Sequence, residues 1–189
     1  MFTNWYFITF YYQVDFVPMS QKLKAGSPMP EIILPTVDGG ETKIGGAKDQ
    51  WQMIIIYRGL HCPICKSYTA KIDALKDRFD ELDTDILFVS GDNAEKAKTF
   101  ADEVGLNFPV AYDLSIDQMR QLGLYMSEPR PTETDRPFPE PGLFVSNENG
   151  QVHIVDISNA PFVRPDPELI IRGITHIKKN DYPIRGTLA

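Results

Sequence analysis

The fold is decided by residues 53–66, MIIIYRGLHCPICK, where an apolar run is followed by two cysteines three positions apart. The run at residues 53–57 has no polar face, which is typical of a strand buried on both sides in the middle of a parallel or mixed sheet. After the short link RGLH, Pro63 suits the first position of a helix, because its missing N–H would be unpaired there in any case. The stretch therefore predicts a buried strand that leads directly into a helix, with Cys62 at the start of that helix.

Strands and helices alternate beyond this stretch. After Pro63, large side chains recur at steps of three and four residues, which predicts one amphipathic helix with this buried stripe: Tyr68, Ile72, Leu75, Phe79 and Leu82. A second buried strand at residues 85–92 leads into a helix that ends at Gly105, and a short strand at residues 108–112 precedes a helix at residues 116–122. Strands separated by helices indicate an α/β fold with a sheet connected by crossovers.

Hairpins and a proline-rich loop complete the predicted fold. Residues 30–45 place apolar runs on either side of an Asp-Gly-Gly turn, which predicts an N-terminal β-hairpin, and NENG at residues 147–150 predicts a second hairpin that closes the sheet edge. The five prolines within residues 127–142 exclude a helix interior or a central strand, so a loop is predicted there. The last helix is expected to start with Asp166 as its N-cap and Pro167 at its first position.

Composition restricts the class of protein. The chain has 189 residues, of which 42% are hydrophobic and 24% are charged, and this is ordinary for one soluble globular domain. The formal net charge of −7, without a long run of Lys or Arg, argues against nucleic acid as a partner. Two cysteines so close together cannot form the disulfide framework of a small secreted domain. No stretch has the length and apolar character of a transmembrane helix, so we expect no membrane partner and a cytoplasmic location.

The first 18 residues, MFTNWYFITFYYQVDFVP, are aromatic-rich but do not match a targeting segment. They have no basic start and no small-residue cleavage site, and polar residues interrupt their apolar stretch. Two interpretations stay open, because Met19 begins a more conventional soluble start. Residues 1–18 are either translation from an upstream start codon or an extra strand or docking arm. The predicted domain is residues 19–189.

The two cysteines are the candidate catalytic residues. At a helix N-terminus the unpaired backbone N–H groups and the positive end of the helix dipole stabilise an anion, so Cys62 is placed to carry a thiolate of lowered pKa. Cys65 lies one turn further along, within reach of a disulfide, and is the natural resolving thiol. Pro63 would rigidify the turn between the sulfurs, and Arg58 and His61 would add positive charge that favours the thiolate. The pattern predicts thiol-disulfide redox chemistry.

Two other interpretations of the cysteine pair remain. A structural zinc site needs two more ligands, and the chain has no second cysteine pair. His61 abuts the pair, whereas His153 and His176 fall on a distant predicted strand and helix. Two buried and inert cysteines on a core-facing helix are the other alternative. The position of the pair between a strand and a helix favours redox chemistry over both, and no metal or nucleotide cofactor is expected.

The chain resembles the alkyl hydroperoxide reductase C and thiol-specific antioxidant (AhpC/TSA) family, the peroxiredoxin-like branch of the thioredoxin superfamily. Four stretches carry the resemblance: AGSPMPEIILPTVDGG at residues 25–40, IIIYRGLHCPIC at residues 54–65, ILFVSGDNAEKAKTFADEVGLNFPVAYD at residues 86–113 and PEPGLFVSNENGQV at residues 139–152. Together they extend the resemblance over about residues 25–180. The resemblance implies a thioredoxin-like fold with a central mixed β-sheet flanked by helices.

Two positions depart from the pattern of this family. Peroxiredoxins place a threonine or serine three residues before the peroxidatic cysteine, where this chain has Gly59, and an arginine before the strand that matches LFVSN, where this chain has Pro141. Arg58 or Arg164 could take the place of that arginine, although a surface ion pair is the more ordinary role for each. Pro141 instead resembles the cis-proline that lies opposite the CxxC of thioredoxins, which predicts a cis peptide bond there.

The function predicted from the residues and the resemblance is that of a thiol-dependent, peroxiredoxin-like antioxidant oxidoreductase. Cys62 would attack a peroxide or a disulfide, and Cys65 would resolve the product to an intramolecular disulfide. A thioredoxin or glutathione system would supply the reducing thiols, and the resemblance also implies a homodimer as one assembly. The close alternative is a thioredoxin-like protein disulfide reductase. The alternative from another class is a non-catalytic binding module, in which the proline-rich loop and the groove beside Pro141 hold a partner.

Overall fold

The structure, a computed structural model, describes residues 22–188 of the chain, so both interpretations of residues 1–18 concern residues outside the described part. Strands and helices alternate through this part, as the sequence predicts. In chain order the elements are β1 (Ile32–Pro35), β2 (Glu41–Ile44), β3 (Trp51–Ile56), α1 (Pro63–Asp73), α2 (Lys76–Asp80), β4 (Thr84–Val89), α3 (Ala94–Val104), β5 (Val110–Ala111), α4 (Ile116–Gln121), β6 (Met126–Ser127), β7 (Phe138–Pro139), β8 (Gly142–Ser146), β9 (Val152–Ile157) and α5 (Pro167–Asn180).

The centre of the fold is a five-stranded mixed sheet with the strand order β5-β4-β3-β8-β9. β3 is parallel to β4, and β4 is parallel to β5, whereas β8 is antiparallel to both β3 and β9. β1 and β2 form the predicted N-terminal hairpin. The predicted α/β fold with a central mixed sheet is confirmed, and the apolar run at residues 53–57 forms most of its middle strand.

Both faces of this sheet are covered. Met53 and Ile55 of β3 pack into one core with side chains of α1, α2, α3 and α5. Ile54 and Ile56 pack into a second core with the β1–β2 hairpin and α4. Successive strand residues point to opposite faces, and full burial of each such side chain contributes about 1.5–3 kcal/mol. The lack of a polar face in β3 follows from its position between two layers.

The single helix predicted after the cysteine pair is two helices, α1 and α2. Between them Leu75 has φ −107° and ψ 13°, and its N–H donates to the carbonyl of Ile72 at 2.9 Å, three residues back, instead of continuing the α-helical pattern. The apolar stripe still faces the core, where Ile72 and Phe79 are fully enclosed and the other three side chains are partly buried. Side-chain spacing therefore predicted the buried face correctly, but it carries no information on whether the backbone hydrogen bonds continue without a break.

The proline-rich segment, residues 127–142, contains more regular structure than a loop prediction implies. β7 within it pairs with β6 in a short antiparallel ladder that places Ser127 opposite Phe138. Lys96 of α3 donates hydrogen bonds to Thr134 and Asp135 of the same segment. The segment is thus paired with β6 and held to α3 through Lys96.

The helix ends follow the sequence signals. α3 ends at Gly105, which has φ 71°, and the N-cap carboxylate of Asp166 accepts the N–H of Leu169 at 3.1 Å at the start of α5. The positive φ at Gly105 is one that residues with a Cβ adopt at a cost. Within residues 22–188, no helix combines the length and the hydropathy needed to cross a membrane.

Candidate functional site

Cys62 lies at the junction of β3 and α1, at the carboxyl end of the central strand. It is the N-cap of α1, and its sulfur accepts the backbone N–H of Cys65 at 3.2 Å. Both cysteines are free thiols, and their side chains are buried, with 1% and 0% of their surface exposed. The predicted position of Cys62 at the start of the helix is confirmed, and so is Pro63 as the first helical residue.

The pKa of Cys62 is lowered to about 6. The hydrogen bond from the Cys65 side chain is the largest cause, and the backbone N–H of Cys65 and the guanidinium of Arg58 act in the same direction, whereas burial acts against them. A thiol with this pKa is mostly ionised at neutral pH, and the thiolate is the nucleophilic form. Cys62 is therefore the attacking sulfur of the pair on electrostatic grounds.

The thiol of Cys65 has its pKa shifted in the opposite direction to that of Cys62. Burial raises the pKa of its thiol well above the ordinary value, and the hydrogen bond to Cys62 adds to the rise. The positive charge of Arg164 works against this shift, and Arg164 Nη2 donates to Cys65 Sγ at 3.0 Å. Arg164 thus faces a sulfur, so the surface ion pair expected from the sequence is wrong for this residue.

Arg58 is a half-buried arginine with two carboxylate partners. Its Nε lies 3.1 Å from Glu140 Oε2, its Nη2 donates to Glu133 Oε1 at 3.3 Å, and 14% of its side chain is exposed. Its guanidinium also lies 4.7 Å from the ring centre of Phe138. These contacts hold the guanidinium beside Cys62, and the expected surface ion pair is wrong here too, because the side chains of the two partners are only 7% and 5% exposed.

The two carboxylates that hold Arg58 come from the proline-rich segment and were missed in the sequence. Glu140 follows β7, and its other oxygen accepts the hydroxyl of Ser127 at 2.7 Å. Glu133 also accepts from the backbone N–H and the side chain of Arg130, at 2.9 and 2.8 Å. The acidic residues of the proline-rich stretch are visible in the sequence, but their spacing does not reveal that two of them pair with Arg58.

Asp92 is the other residue that the sequence did not identify. Its Oδ2 accepts the backbone N–H of Leu60 at 2.7 Å, so it fixes the link between β3 and α1. Its side chain is buried, which raises the pKa of the carboxyl above its usual value. Gly59 has φ +132°, and a Cβ there would lie 2.7 Å from Asp92 Oδ1. The departure at Gly59 from the family threonine is therefore required by the local backbone and by this carboxylate.

His61 lines the site without the expected positive charge. Its ring packs against Phe138 with 4.7 Å between the ring centres, and neither ring nitrogen has a hydrogen-bond partner within the described part of the chain. Burial, followed by the charge of Arg58, lowers the pKa of His61 below its ordinary value. The lowered pKa disfavours the charged imidazole, which argues against the expected charge contribution of His61 to the thiolate.

Pro141 lies at the same end of the sheet as the cysteines but does not have the predicted cis bond. Residue 142 directly after it pairs with Ile56 of β3, and the carbonyl of Pro141 accepts the N–H of Ser158 at 3.0 Å. Among residues 22–188 there is no cis peptide bond. The prediction of a cis-proline is therefore wrong, since Pro141 leads straight into β8, where the extended chain keeps the more stable trans form.

Metal ligation has no support from the side-chain arrangement. Within residues 22–188, no group of three or more His, Cys, Asp or Glu side chains is arranged to hold a metal ion. His153 packs on Trp51 with 5.1 Å between ring centres, and His176 contacts Asn180 of its own helix. The two histidines that the zinc alternative would require thus have other partners.

A central mixed sheet whose middle strand leads into a helix beginning at a CxxC pair defines a thioredoxin-like thiol protein. The model of one family, described as the AhpC/TSA family, matches residues 25–155, which is more than half of the chain. The chain belongs to the AhpC/TSA family, as the resemblance in its sequence implied.

Relatives and solved structures agree with this assignment. A thiol peroxidase of Aquifex aeolicus (strain VF5) is 32% identical over 108 residues, which cover 57% of this chain and 63% of that protein, so the match spans less than two thirds of the relative. The crystal structure of a peroxiredoxin-like protein from Aquifex aeolicus has a TM-score of 0.70 at 24% identity, covering 84% of this chain and 90% of that one. A mutant of the peroxiredoxin 6 of Arenicola marina has a TM-score of 0.70 at 15% identity, covering 82% and 74%. At these identities the two structures establish the thioredoxin-like fold.

Proposed function

We propose that the protein is a thiol-dependent peroxidase in which Cys62 attacks the peroxide and Cys65 resolves the product. The observation that carries this proposal is the position of Cys62 at the N-terminus of α1, with its pKa lowered to about 6 and a free thiol one turn further along. Membership of the AhpC/TSA family and the similarity to a protein named thiol peroxidase support the same activity.

The chemistry has two steps before reduction. The Cys62 thiolate attacks one oxygen of the peroxide, the O–O bond breaks, and the leaving oxygen takes a proton to become water or an alcohol, which leaves a sulfenic acid on Cys62. Cys65 then attacks that sulfur, the proton of its thiol joins the departing hydroxide as water, and the Cys62–Cys65 disulfide forms. The two electrons taken by the peroxide come from the two thiols.

Peroxide is favoured over a protein disulfide as the oxidant by two features of the site. The Cys62 sulfur belongs to a side chain that is only 1% exposed, which a molecule as small as a peroxide reaches more readily than a disulfide within a polypeptide. The cis-proline that would have supported a thioredoxin-like substrate groove is absent from the described residues. Both features support the peroxidase proposal over the reductase alternative.

Arg58 is the proposed electrostatic partner of the reacting sulfur. Its guanidinium is among the causes that lower the pKa of Cys62, and Glu133 and Glu140 fix its orientation. A guanidinium fork has further N–H donors that would bind a peroxide oxygen and stabilise the negative charge on the leaving oxygen. In this scheme Arg58 takes the place of the arginine that the family carries at the position of Pro141.

Rapid mixing of the reduced protein with hydrogen peroxide tests the proposal, with acid quenching and mass mapping of the products. We expect wild type to form the Cys62–Cys65 disulfide, Cys65→Ser to accumulate a sulfenic acid at Cys62 that a dione reagent traps, and Cys62→Ser to show no fast step. Oxidation of wild type no faster than that of free cysteine, together with fast exchange with a protein disulfide, would establish the reductase alternative instead. Cellular function and partner binding retained in Cys62→Ser would favour the binding module.

The reductant, the assembly and the location are parts of the same proposal. A thioredoxin or glutathione thiol is the proposed reductant, which the reaction needs chemically, and the cytoplasm is the proposed location. A homodimer is the proposed assembly, supported by large apolar side chains that are more than half exposed: Ile33, Tyr125, Phe162, Val163 and Leu169. Turnover assays with each thiol system and sedimentation velocity at several protein concentrations test these points.

A further inference from the structure

Arg164 is the second arginine at the cysteine pair, and it contacts Cys65. Its Nη2 donates to Cys65 Sγ at 3.0 Å, its Nε donates to the carbonyl of Pro161 at 2.9 Å, and its guanidinium lies 4.9 Å from the ring centre of Tyr68. A backbone carbonyl and an aromatic face thus fix the orientation of the guanidinium, and a further N–H is directed at the sulfur. Each cysteine therefore has its own arginine.

The segment between β9 and α5 is folded so that Arg164 turns inward. The hydroxyl of Tyr68 on α1 donates to the carbonyl of Pro165 at 2.8 Å, which ties this segment to the helix that carries Cys65. Phe162 and Val163, directly before Arg164, point outward and are 75% and 55% exposed. The contact between Arg164 and the sulfur is thus supported by a second contact of the same segment with α1.

The thiol of Cys65 is buried, although the proposed reaction requires its sulfur to carry a negative charge. Burial disfavours its thiolate, yet Cys65 must act as a nucleophile when it resolves Cys62 and as a leaving group when the disulfide is reduced. The guanidinium of Arg58 acts on Cys62, whereas Arg58 acts on Cys65 only through its backbone. The guanidinium of Arg164 is in hydrogen-bond contact with the sulfur that must bear the charge.

We propose that Arg164 is a catalytic residue for Cys65, which it stabilises as a thiolate in both resolution and reduction. This inference rests on the proposed redox function of the pair. In resolution, Cys65 Sγ gives up its proton and attacks Cys62 Sγ, and the hydroxide of the sulfenic acid leaves as water. In reduction, an external thiolate attacks Cys62 Sγ, the S–S bond breaks, and its electron pair passes to Cys65 Sγ beside Arg164; a second external thiol then releases the mixed disulfide. Charge-assisted hydrogen bonds of this kind are among the strong ones.

The test follows Cys65 without using peroxide. Reduced protein is mixed in a stopped-flow instrument with an aromatic disulfide whose released thiol is coloured. The first phase releases one coloured thiol as Cys62 is modified, and the second phase releases another as Cys65 expels the adduct. For Arg164→Gln we expect the first phase to stay within about twofold of wild type and the second to slow about tenfold at pH 7, as a rise of one pKa unit at Cys65 would cause. Arg164→Lys should recover part of the rate of the second phase, because lysine keeps the positive charge but lacks the planar guanidinium with its several N–H donors.

The pH profile of the second phase separates an electrostatic role from a structural one. Cys65 and Arg164 are faced by three further titratable groups besides Cys62 and Arg58. These are Tyr57 after β3, Tyr68 on α1 and Asp156 on β9. Asp156 interacts with the charge of Arg164. Asp156→Asn removes that competing carboxylate, so we expect the midpoint of the profile to fall in this variant and to rise in Arg164→Gln. A general loosening of the fold would not move the two midpoints in opposite directions.

An exposed arginine of α5 provides the control. Arg172→Gln should leave the second phase within about twofold of wild type. The proposal is overturned by an unchanged second phase and midpoint in Arg164→Gln, or by equal slowing in Arg172→Gln. Should Arg164→Gln not fold, Asp156→Asn carries the test, and an unchanged midpoint there overturns the proposal. A second phase that depends on Arg164 in a protein inert to peroxide would refute the peroxidase function alone.

Discussion

The carboxylate of Asp92 occupies the space that a side chain on residue 59 would need. A Cβ at Gly59 would lie 2.7 Å from Asp92 Oδ1 and 2.9 Å from Oδ2, while Asp92 Oδ2 is held at 2.7 Å by the N–H of Leu60. Because that hydrogen bond fixes the link to the cysteine helix, the carboxylate has no freedom to move aside. The carboxylate of Asp92 therefore excludes a side chain at residue 59, the position at which the resemblance to the family implies a threonine or serine.

Gly59→Ala is expected to destabilise the protein by at least about 2 kcal/mol more than Gly39→Ala, because a Cβ at residue 59 adds a steric clash to the cost of the unusual backbone angle. Gly39 is a matched control, since it has φ +89° and no atom within 4 Å of its Cβ position. Urea unfolding of both variants under reducing conditions measures the difference. Equal losses in the two variants would show that Asp92 does not restrict residue 59.

Arg58→Gln is expected to raise the pKa of Cys62 from about 6 towards its ordinary value, because a positive charge beside the thiolate is lost. A rise of one unit would reduce the thiolate fraction, and with it the alkylation rate, about fivefold at pH 6. Rates of iodoacetamide modification between pH 4 and pH 9 measure this shift. Arg130→Gln is the control, because Arg130 shares Glu133 with Arg58 but is 76% exposed; the same shift in both variants would contradict a direct role of Arg58.

The parts of the site that could be predicted from the sequence are those set by neighbouring residues. The apolar run of β3, Pro63 at the first turn and the spacing of Cys62 and Cys65 place a thiolate at a helix N-terminus through local backbone geometry alone. The same holds for the helix that ends at Gly105. These features depend on hydrogen bonds between residues a few positions apart, which sequence patterns describe well.

The parts that could not be predicted depend on chain segments that meet only in the folded protein. Glu133 meets Arg58 from 75 positions away, and Asp92 meets Leu60 from 32 positions away, with no spacing rule that connects them. The cis bond expected at Pro141 failed for another reason. It was inferred from a likeness to thioredoxins, whereas the isomer depends on the local path of the chain, which here runs in trans into β8.

Glu133→Gln is expected to loosen the proline-rich segment and to leave the pKa of Cys62 low. The carboxylate of Glu133 is 7% exposed and joins this segment to Arg58, so its loss should speed hydrogen exchange and proteolysis within residues 128–137. Arg58 keeps Glu140 and loses a competing negative charge, so the pKa of Cys62 should stay low. Glu168→Gln, which removes an exposed partner of Arg78, is the control and should change neither measurement. Unchanged exchange in Glu133→Gln would show that other contacts hold the segment.

The stability of the reduced protein is expected to rise with pH between about pH 6 and pH 8.5, relative to Cys62→Ser. The pKa of Cys62 is about 6 in the folded protein and about 8.5 in an unfolded chain, so the unfolded state binds more protons within this window. The stabilisation by the Cys62 thiolate is complete above the pKa of the unfolded chain and is lost as the pH falls through the pKa of the folded protein. Between the two pKa values the free energy of unfolding changes by at most about 1.4 kcal/mol per pH unit. Urea unfolding of both proteins at several pH values measures the difference, in which the titrations of Asp92 and His61 cancel because both proteins contain them. Parallel stability curves would mean that Cys62 is not a thiolate in the folded protein, and the proposed attack on peroxide would lose its electrostatic basis.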